Sequence, residues 1–306
     1  MTDRRTVVKT LAAAAGAAVA LPRLLAAEAR PTMRNRPIPL TGELLPVIGI
    51  GTSDAFEVGS SANDRGPIEE VMKAFVAGGG RLLDTSPMYG TAEEVVGDTV
   101  SKLGLRESLF VATKVWTTGI DEGVKQMTNS FAKLRAQKVD LMQIHNLVDW
   151  RTQLATLRAW KEAGKIRYVG VTHYKSANHD QLLEVITAEP FDFVQLNYSI
   201  ADRAAEKRLL PFAADRGIAV LVNRPFEDGA LFGQVRGKPV PEWAAEIGCA
   251  SWAQIFLKFV VAHPAVTCAI PATGKIAHLR DNLAAGFGEL PNEAQRRKMI
   301  EAAVGA

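Results

Sequence analysis

Eight short apolar runs recur along this chain from Arg36 onward, and that recurrence restricts the fold more than any single residue does. They are "LPVIGIGT" (45 to 52), "RLLDTS" (81 to 86), "LFVATKV" (109 to 115), "VDLMQIH" (139 to 145), "RYVGVTH" (167 to 173), "FDFVQLNY" (191 to 198), "IAVLVN" (218 to 223) and "AVTCAIP" (265 to 271). Runs of Val, Ile and Leu with few polar interruptions suit strands buried on both faces. Between them lie helical faces, as in "QLATLRAWKEAGK", where Leu154, Leu157, Trp160 and Ala163 share one side and Gly164 stands where a helix would stop. Most strand starts are spaced by roughly 25 to 30 residues, the size of a βαβ unit. Eight such units predict an α/β fold, a (β/α)8 TIM barrel over residues 36–306. A doubly wound sheet would need a G-x-G-x-x-G turn; "GIGTSDAFEVG" holds only the first two glycines, and no helical pattern follows promptly. "NRPIPLTGELLPVIG", with Thr41-Gly42 between two extended runs, reads as an N-terminal β-hairpin capping the barrel floor. The longer interval between the seventh and eighth strands predicts an extra loop and an extra helix beside the mouth.

Composition narrows the class of partner. With 306 residues, 47% of them hydrophobic and 23% charged, the chain has apolar surface enough for one large core. A net charge of +3, with Lys and Arg scattered rather than striped, argues against nucleic acid and for a small molecule. Cys249 and Cys268 lie in apolar contexts and are expected as buried free thiols. Residues 1–29 have a basic start at Arg4-Arg5, an Ala-rich apolar stretch from Leu11 to Leu21, and the small-x-small ending Ala27-Glu28-Ala29. That is the layout of an export signal, too short to span a bilayer, and the paired arginines resemble a twin-arginine signal. A periplasmic location is the expectation; a cytoplasmic one follows if those residues are only a tail. No other segment is long and apolar enough for a membrane span, and a monomer is the plainest expectation.

In a barrel of this kind the chemistry gathers at the C-terminal ends of the strands, where the loops converge. The second run ends at Asp84, the third at Lys114, the fourth at His145, the fifth at Thr172-His173, the sixth at Gln195 and Asn197, and the seventh at Asn223-Arg224. Lys114, embedded in "FVATKVW", needs a counter-charge, and Asp84 on the neighbouring strand is the natural one. Tyr89 stands in the turn after Asp84. A phenol with a pKa of about 10 becomes a better proton donor beside an ammonium, and the carboxylate behind the lysine keeps that ammonium charged. His145 would hydrogen-bond a substrate oxygen or share in the proton transfer. The four residues read as a general-acid device aimed at an oxygen that becomes an alkoxide.

The set "LLDTSPMYG", "VATKV", "DLMQIH", "YVGVTHY", "VQLNY", "GIAVLVNRPF" and "IPATGKIAHLRDNL" resembles the successive signatures of the aldo-keto reductase family, in that family's order and over essentially the whole chain after residue 36. The resemblance implies a (β/α)8 barrel, a nicotinamide dinucleotide, NADPH preferred and NAD possible, and reversible carbonyl reduction by transfer of the pro-R hydride. It places the catalytic tetrad on Asp84, Tyr89, Lys114 and His145. It places cofactor contacts on Thr52, Asp84, Thr172, His173 and Gln195, although Ser-Asn is commoner than Thr-His at the carboxamide positions. The tyrosine that usually stacks on the nicotinamide is replaced by Asn223, with Arg224 as the substitute expected beside the ring. Pro225, Phe226, Gly229 and Leu231 would line the pyrophosphate. Pro271, Ala272, Thr273, Gly274, Lys275, His278, Arg280, Asp281 and Asn282 would form the phosphate end, with Lys275 and Arg280 taking the 2′-phosphate and Ala272 and His278 standing where basic residues are usual. No metal is expected. Phe56, Met88 and Trp116, with Trp150, are candidates for the wall of the substrate pocket. Two rival readings keep the barrel: a nicotinamide-binding redox-sensing or regulatory module with slow turnover, as in the beta subunits of potassium channels, and a Lys114 Schiff-base enzyme. A twin-arginine route carries folded proteins, so one way to reconcile export with a cytoplasmic cofactor is loading before translocation.

Overall fold

The computed structural model describes residues 32–305; the expected export signal at residues 1–29 lies outside them. Strands β1 (Asn35–Pro37) and β2 (Leu44–Pro46) pair antiparallel, with Asn35 opposite Pro46. Their turn closes where Gly42, at φ 74°, donates its N–H to Ile38 O at 2.8 Å. This is the expected hairpin, and its Ile38 and Leu45 plug the floor of the barrel against Leu82, Phe110, Tyr168 and Phe193.

The barrel strands are β3 (Ile50–Gly51), β4 (Leu82–Asp84), β5 (Phe110–Val115), β6 (Val139–His145), β7 (Ile166–His173), β8 (Phe193–Asn197), β9 (Ala219–Asn223) and β10 (Val266–Ala269), parallel and neighbouring in that order. The ring closes where Gly49 N–H meets Ala269 O at 2.8 Å and Gly51 N–H meets Pro271 O at 3.1 Å. The expected (β/α)8 architecture is therefore present, but the first run holds two elements rather than one strand. Pro46 has no N–H to offer a ladder, so "LLP" ends the hairpin and the barrel strand begins afterwards. The glycines of "GIGT" serve this seam. A Cβ on Gly49 would lie 2.7 Å from Leu82 O, and one on Gly51 2.9 Å from Ile270 O.

Alternation along each strand then assigns the site. Leu82, Phe110, Leu141, Tyr168, Phe193, Leu221 and Cys268 fill the barrel interior, while Leu83, Val111, Met142, Val169, Val194 and Val220 face outward to the helices. Stepping two or four residues onward from the interior set reaches Asp84, Lys114, Gln143, His145, Thr172, Gln195 and Asn223 at the mouth.

The helices are α1 (Ala62–Ala77), α2 (Ala92–Leu103), α3 (Ile120–Lys133), α4 (Trp150–Glu162), α5 (His179–Ala188), α6 (Leu209–Asp215), α7 (Ala230–Gln234), α8 (Trp252–Ala262), α9 (Ile276–Ala284) and α10 (Glu293–Val304). A capping box between Ser61 and Asp64 starts α1, and Pro67 lies inside the helix. The expected extra structure lies between β9 and β10: a 3-10 turn at Glu227–Gly229, the five-residue α7 and a 3-10 turn at Glu242–Ile247 precede the regular barrel helix α8. Cys249 and Cys268 are free and buried, as expected. Among the described residues, no helix is long and apolar enough to cross a membrane.

Candidate active site

The tetrad residues meet at the mouth between β4 and β6. Lys114, 1% exposed, places Nζ 2.6 Å from Asp84 Oδ2 and donates to Thr85 O at 2.8 Å. Gln143 Nε2 donates to the other carboxylate oxygen, Asp84 Oδ1, at 3.1 Å. Tyr89 is held in a tight loop: its N–H donates to Ser86 O at 3.0 Å, and its carbonyl accepts from Ala92 N–H, at the start of α2, at 2.8 Å. Gly90 follows at φ 44°, and a Cβ there would lie 2.8 Å from a Glu57 carboxylate oxygen, so the turn needs glycine. The Tyr89 ring centroid is 5.0 Å from Lys114 Nζ and 6.0 Å from the His145 ring, which meets it edge-on at 89°. Ser86 Oγ lies 3.1 Å from His145 Nδ1.

Burial sets the electrostatics. Desolvation works to lower the Lys114 pKa, but Asp84 and Tyr89 together hold it above the ordinary lysine value. A Schiff-base lysine needs the opposite shift, so the amine here is poorly suited to nucleophilic work. Burial likewise raises the Tyr89 phenol above its usual value, outweighing the lowering by the Lys114 charge. That corrects the expectation of a net acidified phenol: the lysine does act in the expected direction, and desolvation overrides it. The phenol consequently stays protonated at neutral pH. His145 is pushed down to about 2 by burial first, then by the Lys114 charge and His173. It is therefore a neutral imidazole, able to donate or accept a hydrogen bond. Ser86 Oγ and Nδ1 share a hydrogen bond whose direction follows the tautomer; with the hydroxyl as donor, the ring proton resides on Nε2.

Three residues that hold the tetrad were missed by sequence reading. Gln143 lies two positions before His145, so the same period of two that singled out the histidine places it on the same interior face. Ser86 and the Thr85 carbonyl act from the loop after β4, where no periodic signal exists.

The other half of the mouth, on β7 to β10, has a different character. Thr172 is buried, and His173 Nδ1 accepts from Lys175 N–H at 3.2 Å, which leaves the proton of this neutral ring on Nε2. Burial lowers the His173 pKa, reinforced by Lys175 and His179. Gln195, 2% exposed, has an Oε1 with no hydrogen-bond partner among the described residues, and the same holds for Asn223 Oδ1. A neutral N–H donor and an unpaired carbonyl acceptor on adjacent strands fit the carboxamide of a flat ligand. Thr52 is committed instead to structure, its Oγ1 donating to Asp84 O at 3.1 Å. Arg224 pairs with Asp228 and reaches Tyr174 O.

Several expected contacts are spent elsewhere. Phe226 packs against Phe232 and Phe256 at ring separations of 5.0 Å and 6.4 Å, and Leu231 is buried in the core. The N–H groups of Gly229 and Leu231 both donate to Phe226 O, so the loop after Pro225 offers those two amides to itself rather than to a pyrophosphate. Pro271 O accepts from Gly51, Ala272 is exposed beside the same seam, and Gly274 packs so closely that a Cβ would lie 2.9 Å from Ala55 O. Thr273 Oγ1 accepts from Lys275 N–H at 3.1 Å. Lys275 stands at the N-cap of α9 without a side-chain cap bond, and with His278 and Arg280 it is exposed around the first turns. Uncapped N–H groups and three basic side chains fit a phosphate. Asp281 is turned away, accepting from Ser251 Oγ at 2.8 Å and Gln254 Nε2 at 2.6 Å, so it ties α9 to α8; Asn282 is buried. Of the substrate candidates, Met88 and Trp116 are exposed, and the Trp116 ring lies 6.5 Å from that of His145. Phe56 is 0% exposed and Trp150 packs partly buried against the same core, so Phe56 offers a substrate no surface.

The Aldo/keto reductase family model matches residues 47–302. Among curated proteins, methylglyoxal reductase YeaE of Escherichia coli K12 is 29% identical over 260 residues, covering 82% of this chain and 89% of its own. The NADH-specific methylglyoxal reductase of the same organism is 29% identical over 244 residues, 68% of this chain and 72% of its own. Among solved structures, an aldo-keto reductase from Klebsiella pneumoniae in complex with NADPH superposes with a TM-score of 0.72 at 25% identity, over 87% of this chain and 93% of that one.

Proposed function

The chain belongs to the aldo/keto reductase family, NAD(P)H-dependent oxidoreductases acting on carbonyl compounds, and from that premise we propose that it reduces an aldehyde or ketone to an alcohol with Tyr89 as the general acid. The observation that carries this reading is the buried Asp84–Lys114 pair, 2.6 Å apart, with the Tyr89 ring 5.0 Å from the ammonium and the neutral His145 beside it. When bound, the dinucleotide supplies the hydride. The protein's own residues then handle the oxygen. His145 Nε2–H orients the carbonyl and favours the developing alkoxide, while the protonated phenol of Tyr89 delivers its proton to that oxygen. Lys114 stabilises the phenolate left behind, and Asp84, itself fixed by Gln143, keeps the ammonium charged and in place.

His173 and Gln195 would hold the carboxamide, and the first turn of α9 with Lys275 and Arg280 the adenosine phosphate. Two exposed cations at that end support NADPH over NADH, while a relative whose name specifies NADH shows that the family accepts both. The test is a titration of nucleotide-free protein with NADPH and NADH, followed by aldehyde-dependent oxidation of the reduced nucleotide. Methylglyoxal belongs in that panel, since two relatives are named for it. Tight binding with aldehyde turnover is the expected result; binding of neither nucleotide would contradict the proposal. We further read residues 1–29 as a twin-arginine export signal, and Arg4→Lys with Arg5→Lys should retain the chain in the cytoplasm on fractionation.

A further inference from the structure

Glu93 is a buried acid that the proton-transfer scheme leaves unused. It stands in the first turn of α2, 1% exposed. Both of its oxygens accept from neutral hydroxyls: Oε1 from Thr113 Oγ1 on β5 at 2.6 Å, and Oε2 from Ser130 Oγ on α3 at 3.0 Å. Burial holds its pKa above the ordinary glutamate value, against the two hydroxyl bonds and the charges of Lys133 and Lys114. A buried carboxyl without a bonded cation is a costly way to seat a helix, and an apolar side chain would do that more cheaply. Its place in the fold supplies another use.

Thr113 immediately precedes Lys114. Successive strand residues face opposite sides, so Thr113 points to the helices while Lys114 points into the mouth. At the other end of the bond, α2 begins just after the Tyr89 turn, and Ala92 N–H donates to the Tyr89 carbonyl at 2.8 Å. The Glu93 to Thr113 bond therefore joins the turn that carries the phenol to the strand that carries the ammonium. The other polar side chains at this helix start are tied elsewhere: Thr91 Oγ1 donates to Val58 O in the loop after β3, and Glu94 accepts from Arg65 of α1. Among the described residues, no other hydrogen bond ties the first turn of α2 to a barrel strand. One turn further on, Gly97 lies so close to α3 that a Cβ there would be 2.0 Å from Lys133 O, which sets the distance between the two helices.

We propose that Glu93 is the positioning residue of the general acid: its bond to Thr113 fixes the Tyr89 phenol over Lys114, and its bond to Ser130 holds the carboxyl in place. The proposal rests on the reductase reading above. Glu93 touches neither substrate nor nucleotide, so its effect falls on the chemical step and not on binding.

The experiment measures single-turnover oxidation of bound NADPH by an aldehyde that the wild-type chain reduces, together with the NADPH affinity and melting temperature of each variant. Thr113→Val and Ser130→Ala each take one hydroxyl from Glu93, and their melting temperatures should fall by similar amounts. Their rates should differ. Thr113→Val is expected to slow hydride transfer roughly tenfold or more and Ser130→Ala by no more than about threefold, since a shift of about 1 Å at the reacting groups costs up to about 100-fold. NADPH affinity should stay within about twofold of wild type in both. Glu93→Leu should be slower than Thr113→Val. Glu93→Gln should restore most of the rate, because an amide oxygen accepts from Thr113 and its NH2 donates to the Ser130 hydroxyl. Should Glu93→Leu fail to fold, the two hydroxyl variants carry the test. Equal rates in Thr113→Val and Ser130→Ala, or a Glu93→Gln protein as slow as Glu93→Leu, would overturn the positioning role while leaving the reductase reading intact; a wild-type chain that binds neither nucleotide would overturn both.

Discussion

On β4, β5 and β6 the charged side chains at the barrel mouth are bound by their neighbours, with Gln143 Oε1 and the adjoining Thr85 Oγ1 left buried and unpaired among the described residues there; on β7, β8 and β9 whole side chains stand without a partner. Asp84 uses both carboxylate oxygens, Lys114 has two acceptors, and His145 is engaged by Ser86. Gln195 and Asn223, equally part of the mouth, keep buried carbonyl oxygens without partners among the described residues. Buried polar atoms are ordinarily paired, so an unpaired set is a place where a ligand completes the bonding. The first region is preorganised by the chain itself. The second is complementary to something that arrives.

The sharpest way to break this division is Lys114→Met. Removing the ammonium leaves Asp84 buried without its counter-charge, at a cost of about 3–5 kcal/mol in stability. Turnover should fall on the order of 100-fold or more, because the phenolate loses its stabiliser, while NADPH affinity changes little; urea unfolding, single-turnover rates and nucleotide titration measure the three. Weakened nucleotide binding with unchanged turnover would mean the two regions are not separate.

Acid stability comes next. His145 is held neutral down to about pH 2 in the fold, whereas an unfolded histidine binds its proton near 6.5. Between those values the unfolded state carries the extra proton, so stability falls as pH falls, by up to about 1.4 kcal/mol per pH unit for this one group. His173, His179 and His263 are also lowered by burial and act in the same direction. A urea midpoint that is equal at pH 7.5 and pH 5 would refute this. In turnover the same shift predicts no inflection from His145 between pH 5 and 8, and the raised Tyr89 keeps the active acid form present until above pH 10.

A smaller effect should come from Gln195→Leu. It removes an unpaired oxygen, so folding stability should hold or rise, while NADPH affinity drops about tenfold for the lost carboxamide bond. Unaltered affinity would remove Gln195 from the cofactor site. Least of all, Lys275→Ala with Arg280→Ala should shrink the NADPH-over-NADH ratio severalfold without touching NADH binding, as expected for exposed cations; an unchanged ratio would shift the phosphate elsewhere.

This asymmetry also explains what could be read from the residues alone. Strand ends are marked by apolar runs, so Asp84, Lys114 and His145 were found from the period of the barrel, and Tyr89 from its turn with Gly90. Gln143 carries the same period-two signal as His145, two positions on, but an amide has no titrating group to mark it as part of a site. The cofactor side depends on loops, where backbone amides and rotamers decide the outcome. Nothing in "NRPFEDGALF" announces that Gly229 and Leu231 would donate to Phe226 O, or that Arg224 would fold back on Asp228. Phe56 and Trp116 are both aromatic and both follow a strand; only packing separates the buried ring from the exposed one. The sign of the Tyr89 shift was likewise out of reach, because it depends on how much water burial removes.

The most direct test of the central claim is a single-turnover experiment on Tyr89→Phe, loaded with NADPH and mixed with an aldehyde that the wild-type protein reduces. The account predicts NADPH affinity within about twofold of wild type and a hydride-transfer rate lower on the order of 100-fold or more, the loss expected when a general acid is removed. A Tyr89→Phe protein that reduces the aldehyde at the wild-type rate would contradict the assignment of the general acid.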